Sequence, residues 1–216
     1  MFGKPPYEDR SQAGRELASH LERLGLEPNP LVLGLPRGGV VVAAEVARVL
    51  GGELDVLCVR KLGAPGHREL AIGAIASGGT RVVDDELAVT YGLDDVALDA
   101  LTERELAELH RRERAYRDDR PPLKLAGRQV VLVDDGVATG ATARSACLAV
   151  RKAGVTALVL AAPVAPTEVV GRLSEVADRA VFPITSRHFG WVGRWYADFG
   201  EVTDEEVQVL LAARPT

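Results

Sequence analysis

The sequence predicts an α/β fold, doubly wound around a mainly parallel central sheet with helices on both faces, and three observations predict it. Val130-Val131-Leu132-Val133 is an uninterrupted aliphatic run, as a strand buried on both faces requires. A glycine-containing turn and a helical stretch follow it at once. The same strand–turn–helix order recurs along the chain, which is the pattern of parallel crossovers and not of segregated layers. At 216 residues the chain has the length of a single domain, 1–216, with its own core.

In order, residues 9–25 carry Ala13, Leu17, Leu21 and Leu24 at helical spacing, closed by Gly25. Leu31 to Leu35 reads as the first strand. Pro36-Arg37-Gly38-Gly39 is a tight turn before a helix through Val40, Ala44, Val46 and Leu50. Leu54 to Val59 reads as a strand ending in Arg60-Lys61. Residues 63–70 read as a mobile loop, and 71–76 with 80–83 as a hairpin across Ser77-Gly78-Gly79. Residues 94–118 form a long charged helix, with Glu108–Arg112 and Glu113–Arg117 spaced as i,i+4 ion pairs. After Pro121-Pro122 come the central strand, a helix over about 141–153, a strand over 157–162, a helix from Thr167 to about Val176 and a short strand over 180–184. Thr203 with Glu206 has the spacing of a capping box for a last helix.

Composition excludes some functions. A net charge of −5 offers no electrostatic footprint for nucleic acid. No apolar run approaches membrane-spanning length, and residues 1–30 lack the layout of a signal peptide. Cys58 and Cys147 sit among apolar neighbours and read as buried free thiols, so the expected location is cytoplasmic.

The chemistry concentrates at the carboxyl end of the central strand, where open α/β sheets place their ligands. Asp134 and Asp135 stand there, followed by Gly136-Val137-Ala138-Thr139-Gly140-Ala141-Thr142. A small-residue turn opening into a helix aims backbone N–H groups at one point and so cradles an anion. Paired acids beside a phosphate cradle suit a phosphorylated ribose: residues 136–142 would take its 5-phosphate and the acids its vicinal hydroxyls. Pro36-Arg37-Gly38-Gly39 is a second anion turn of the same kind, and Arg60-Lys61 adds two cations.

Four hydrophobics, Asp-Asp and then Ala-Thr-Gly-x-Thr resemble, without a gap over residues 130–142, the phosphoribosyl-pyrophosphate (PRPP) motif of type I phosphoribosyltransferases. The resemblance implies a magnesium-dependent pentosyltransferase that moves 5-phosphoribosyl from PRPP to a nitrogenous base of the salvage type and releases pyrophosphate. The alternative is a PRPP-binding regulatory protein with little transferase activity. The resemblance also implies a flexible lid after the second strand and a small hood subdomain, drawn from parts of both terminal segments. Asp134, Asp135 and Lys61 are then the catalytic candidates, and Arg37, Gly38, Gly39, Arg60 and Lys61 the pyrophosphate ligands. Mg²⁺ would be held by Asp134, Asp135 and Asp198, in part through water. Family members are often homo-oligomers.

Residues 187–199 concentrate half of the aromatic side chains, and a planar base needs a flat neighbour. Val192-Gly193 followed by Asp198-Phe199 is similar to a segment of oxopurine members, with one residue inserted, which makes Trp191 and Val192 the base-binding candidates. Those members carry an aspartate where this chain has Ala138, a position more like adenine members. The two clues conflict, and the base stays open.

Overall fold

The computed structural model describes residues 4–118 and 120–213, apart from the side chains of residues 68, 69 and 71. The chain runs through α1 (Arg10–Glu22), β1 (Leu31–Gly34), α2 (Gly38–Leu50), β2 (Glu53–Val56), β3 (Val59–Ala64), β4 (His67–Ala76), β5 (Thr80–Val83), α3 (Asp85–Thr90) and α4 (Asp95–Arg117). It continues through β6 (Gln129–Val133), α5 (Ala141–Lys152), β7 (Ala157–Ala161), β8 (Val164–Pro166), α6 (Thr167–Ser174), β9 (Arg179–Val181), β10 (Ile184–Ser186), a 3-10 turn (Val192–Trp195) and α7 (Asp204–Ala212).

Five parallel strands make the central sheet in the order β2-β1-β6-β7-β9. Residues 130–133 are fully buried, as their aliphatic run predicts. Alternate side chains of β1 and β6 feed two cores. Val32, Val131 and Val133 pack with Leu17 and Leu21 of α1, Val42 and Val46 of α2, and Val207 of α7. Leu31, Leu33, Val130 and Leu132 pack with Ala146 and Val150 of α5 and Leu173 of α6. Each fully buried leucine or valine contributes about 1.5–3 kcal/mol relative to exposure, so a sheet lined on both faces is strongly held. The cysteines are free and buried, and burial pushes both thiols up to about 12, which keeps them neutral. Among the described residues, no helix is long and apolar enough to cross a membrane.

The chain departs from its local pattern where strands change sheets. The apolar run 54–59 is not one strand: β2 ends at Val56, and Leu57 N–H still donates to the Gly34 carbonyl at 3.0 Å. Cys58 then bonds to Ser77 instead, its N–H to the hydroxyl at 3.0 Å, and β3 begins a separate antiparallel sheet with β4 and β5. Residues 63–70, expected as a loop, are the end of β3, a turn at Pro65-Gly66 and the start of β4. The run 180–184 likewise splits at Phe182-Pro183 into β9 and β10, and β10 pairs with β8. Proline has no N–H for the ladder, so Pro163 and Pro183 end one pairing and begin another.

In α4 the expected Glu108–Arg112 pair forms at 2.9 Å. Arg117, expected to pair with Glu113, turns inward to Asp55 of β2, donating through Nε at 3.0 Å and Nη2 at 2.9 Å. Burial decides this: a desolvated fork-to-carboxylate contact is worth more than an exposed helix pair.

The capping box closes on α7, with Glu206 N–H donating to Thr203 Oγ1 at 3.1 Å and Thr203 N–H to Glu206 Oε2 at 2.7 Å. Thr203→Ala is expected to cost about 1 kcal/mol, read as a fall of about 2–4 °C in melting temperature. An unchanged melting curve would show that packing of Val207 and Leu211 alone holds this helix.

Candidate functional site

Parallel pairing in register, Gly34 beside Val133, sets the turns after β1 and β6 side by side. Leu35 N–H donates to the Val133 carbonyl at 2.8 Å, and Asp134 N–H to the Ala161 carbonyl at 3.1 Å. The Pro36–Arg37 peptide is cis. Gly39 lies against Asp134: a Cβ there would meet Asp134 Cα at 3.0 Å and the Val133 carbonyl oxygen at 2.9 Å. The 36–39 turn and the acidic pair therefore form one continuous surface.

Within the pair, Asp134 Oδ1 accepts the N–H of Asp135 at 2.9 Å. Asp135 Oδ2 accepts Nε of Arg10 at 2.7 Å, and the Tyr196 hydroxyl donates to the Asp135 carbonyl. Burial, and then the charge of Asp135, holds the Asp134 carboxyl well above the ordinary carboxylate range. Burial raises Asp135 too, while the Arg10 hydrogen bond and charge pull it back. The two acids thus keep a proton more readily than a pair of solvated carboxylates.

The turn 136–142 follows directly. Gly136 presses against Val192, whose Cγ1 would lie 2.4 Å from any Cβ there. Val137 N–H donates to the Val164 carbonyl at 3.0 Å. Gly140 caps α5 at φ +79°, a left-handed conformation that glycine adopts without strain, and it offers no capping side chain. Thr139 Oγ1 accepts Ala141 N–H at only 3.4 Å, which leaves the first-turn N–H groups available to an anion. Thr139, Ala141 and Thr142 are exposed at this rim. A cavity of about 460 Å³ opens beside Ala138 and Thr139, walled by Arg187, His188, Phe189 and Arg194.

The structure brings together Asp134, Asp135, Gly38, Gly39 and residues 136–142. Several of the other candidates have partners of their own. Arg37 pairs with Glu201 and lies 3.7 Å from Asp204, which holds its guanidinium at the start of α7 and raises its pKa, chiefly through the Glu201 hydrogen bond. Arg60, on β3 beside half-buried Lys61, is bridged to Glu105 of α4 at 2.7 Å. Trp191 is 67% exposed and has a face open to a ligand, while Val192 is tucked against Gly136. The Asp198 carboxylate accepts the Gly200 N–H at 3.0 Å. Among the described residues, no group of three acidic, histidine or cysteine side chains is placed to hold a metal ion, so Asp198 does not join the pair in a protein-only cage.

Most of the aromatics in 187–199 are structural. Phe189 stacks on Trp195 with centroids 5.6 Å apart, and Tyr196 lies 5.6 Å from Tyr7 and 5.0 Å from Phe199. Tyr7 and Tyr196 also share a parallel β-bridge, which ties the N-terminal segment to this stretch. Arg10 is the site residue that sequence reasoning missed. It opens an amphipathic helix 125 positions from Asp135, and no local spacing marks it.

Residues 7–196 match the family described as the phosphoribosyl transferase domain. Over 205 residues the chain is 46% identical to a protein of Mycobacterium tuberculosis strain H37Rv provisionally named a phosphoribosyl transferase, in a match covering 95% of this chain and 46% of that protein. The chain thus spans about half the length of the curated relatives it matches. The crystal structure of TT1426 from Thermus thermophilus is 50% identical and superposes with a TM-score of 0.88, covering 95% of this chain and 97% of that one. The AQ2163 protein of Aquifex aeolicus, at 13% identity and a TM-score of 0.51 over 87% of this chain and 84% of its own, shares the fold alone.

Proposed function

The chain belongs to the type I phosphoribosyltransferase family, and from that membership and the site we propose that it transfers 5-phosphoribosyl from PRPP to a nitrogenous base, releasing pyrophosphate. The observation that carries this reading is the junction of two anion-binding turns with a carboxylate pair at the carboxyl end of β6. No simple phosphate ester needs all three. PRPP carries a diphosphate, two vicinal hydroxyls and a terminal phosphate.

In this reading, residues 136–142 hold the 5-phosphate through backbone N–H groups at the α5 N-terminus. Asp134 and Asp135 hold the ribose hydroxyls. Gly38 and Gly39 bring the backbone of the 36–39 turn close to the diphosphate, while Arg37 and Lys61 supply charge, Arg37 after release from Glu201. The C1–O bond to the diphosphate breaks and its electrons leave with pyrophosphate. The acceptor nitrogen bonds to C1 from the opposite face, with inversion, and gives up its N–H proton to water. The protein contributes position and fixed charge as an oxocarbenium-like centre develops, so no side-chain nucleophile is required. The hard oxygen donors of Asp134 and Asp135 fit Mg²⁺, which would neutralise diphosphate charge and keep water and substrate oxygens as its remaining ligands. The base would enter beside Ala138, in the cavity walled by Arg187, His188, Phe189 and Arg194, with exposed Trp191 next to Gly190 of its wall. A reducing cytoplasm suits the two buried thiols.

The test follows pyrophosphate release from PRPP and Mg²⁺ against a panel of oxopurines, adenine, pyrimidines and carboxylated bases. Release that depends on one acceptor and matches nucleotide formed is the expected result. Tight PRPP binding with no acceptor turned over would favour a PRPP-binding regulator. Failure to bind PRPP would overturn both.

A further inference from the structure

Arg10 makes three contacts at once. Its Nε donates to Asp135 Oδ2 at 2.7 Å, its Nη1 donates to the Gly200 carbonyl at 2.8 Å, and its guanidinium carbon lies 3.8 Å from the centre of the Phe199 ring. Only 12% of its side chain is exposed, and 15% of that of Asp135. The ion pair passes over the Cα of Gly38, where a Cβ would sit 1.9 Å from Asp135 Oδ2 and 2.7 Å from Arg10 Nε. One side chain from α1 therefore meets the acidic pair, the 36–39 turn and the 199–200 turn together.

We propose that Arg10 is a positioning residue that sets the spacing between the diphosphate turn and the ribose carboxylates, so that both halves of PRPP fit at once. This rests on PRPP being the ligand of the site. The physical reason lies in linked binding. A ligand that spans two subsites gains affinity from their fixed separation, and a ligand that fills one subsite gains nothing from it. A guanidinium can hold two acceptors in fixed directions and stack on a ring together. An ammonium is a point charge and cannot.

Calorimetric titration of Arg10→Met and Arg10→Lys with Mg²⁺ present, using PRPP, ribose 5-phosphate and pyrophosphate separately, tests this. PRPP affinity is expected to fall by about tenfold or more in Arg10→Met, while the two half-ligands stay within about threefold of wild type. Arg10→Lys should fall between. Preserved half-ligand binding also shows that the variant is folded. An equal loss for all three ligands overturns the inference, because Arg10 would then only support the local fold. No loss for PRPP overturns it too. If Arg10→Met fails to fold, the same comparison on Arg10→Lys decides: weaker PRPP with intact half-ligands supports the inference, and unchanged PRPP overturns it. Wild-type protein that binds none of the three overturns the PRPP reading and this inference with it. Wild-type binding with indistinguishable variants overturns the inference alone.

Discussion

Gly38→Ala is expected to lower kcat/KM for PRPP by about a hundredfold or more, about 2.7 kcal/mol of transition-state stabilisation. The new methyl would begin 1.9 Å from Asp135 Oδ2, 2.7 Å from its carboxyl carbon and 2.7 Å from Arg10 Nε. No Cβ tolerates such distances, so either the carboxylate moves by about 1 Å or the 36–39 turn does. A misplacement of about 1 Å is enough to cost about a hundredfold in a site that works by positioning. The Arg10–Asp135 pair cannot simply yield, because Arg10 is also held by Gly200 and Phe199. Gly171→Ala in α6 is the matched control. Nothing lies within 4 Å of a Cβ at that position, so the change should leave turnover intact and gain up to about 1 kcal/mol of stability from helix propensity. Melting curves recorded for both variants separate a damaged site from an unfolded one. Wild-type kcat/KM in Gly38→Ala would detach this glycine, and the turn it belongs to, from the site.

How far the sequence reveals this molecule depends on how local each cause is. Val130 to Val133 declare a buried strand because both faces of β6 meet a core, and that demand is written into each residue. The turn 136–142 is equally legible as a turn: its small residues stand together in sequence and let the backbone close into α5 at Gly140, so its signature is contiguous. The end of β2 is different. Leu57 and Cys58 are as apolar as the strand before them, and what ends the strand is Ser77, nineteen residues on, taking the hydrogen bonds of Cys58. No property of residues 54–59 announces that exchange. Arg37 and Arg60 show the same limit in charge. Two arginines beside an anion site look available in sequence, yet Glu201 and Glu105 reach them from α7's approach and from α4. Arg10 is the converse case, an arginine at the start of a helix that reads as surface until the sheet brings Asp135 to it. Aromatic clustering in 187–199 was legible as a place but not as a role. Phe189, Trp195 and Tyr196 spend their faces on each other and on Tyr7, so Trp191 keeps an open one.

Arg117→Met is expected to lower the free energy of unfolding by about 3–5 kcal/mol while leaving PRPP affinity unchanged well below the melting temperature. Asp55 is 4% exposed and Arg117 9%, so the pair is shielded from bulk water. Removing the arginine strands a buried carboxylate with the Val56 N–H at 2.7 Å and Arg120 at 3.7 Å as its remaining support. Arg117 also donates to the Pro121 carbonyl at 2.7 Å, and that bond anchors the segment leading into β6. Against a typical total of about 5–15 kcal/mol for a folded domain, such a loss is large. The effect should not reach the site, because Asp55 lies on the edge strand β2, with β1 between it and β6, and faces a cavity of about 600 Å³ that none of residues 134–142 lines. Asp55→Asn combined with Arg117→Met removes the stranded charge and should recover part of the loss, since the two positions are coupled and not additive. A single-variant loss below about 1 kcal/mol would mean that Arg120 closes on Asp55 and replaces its partner. In that event the double variant would be no more stable than the single one, and denaturant titration of the three proteins distinguishes the two outcomes.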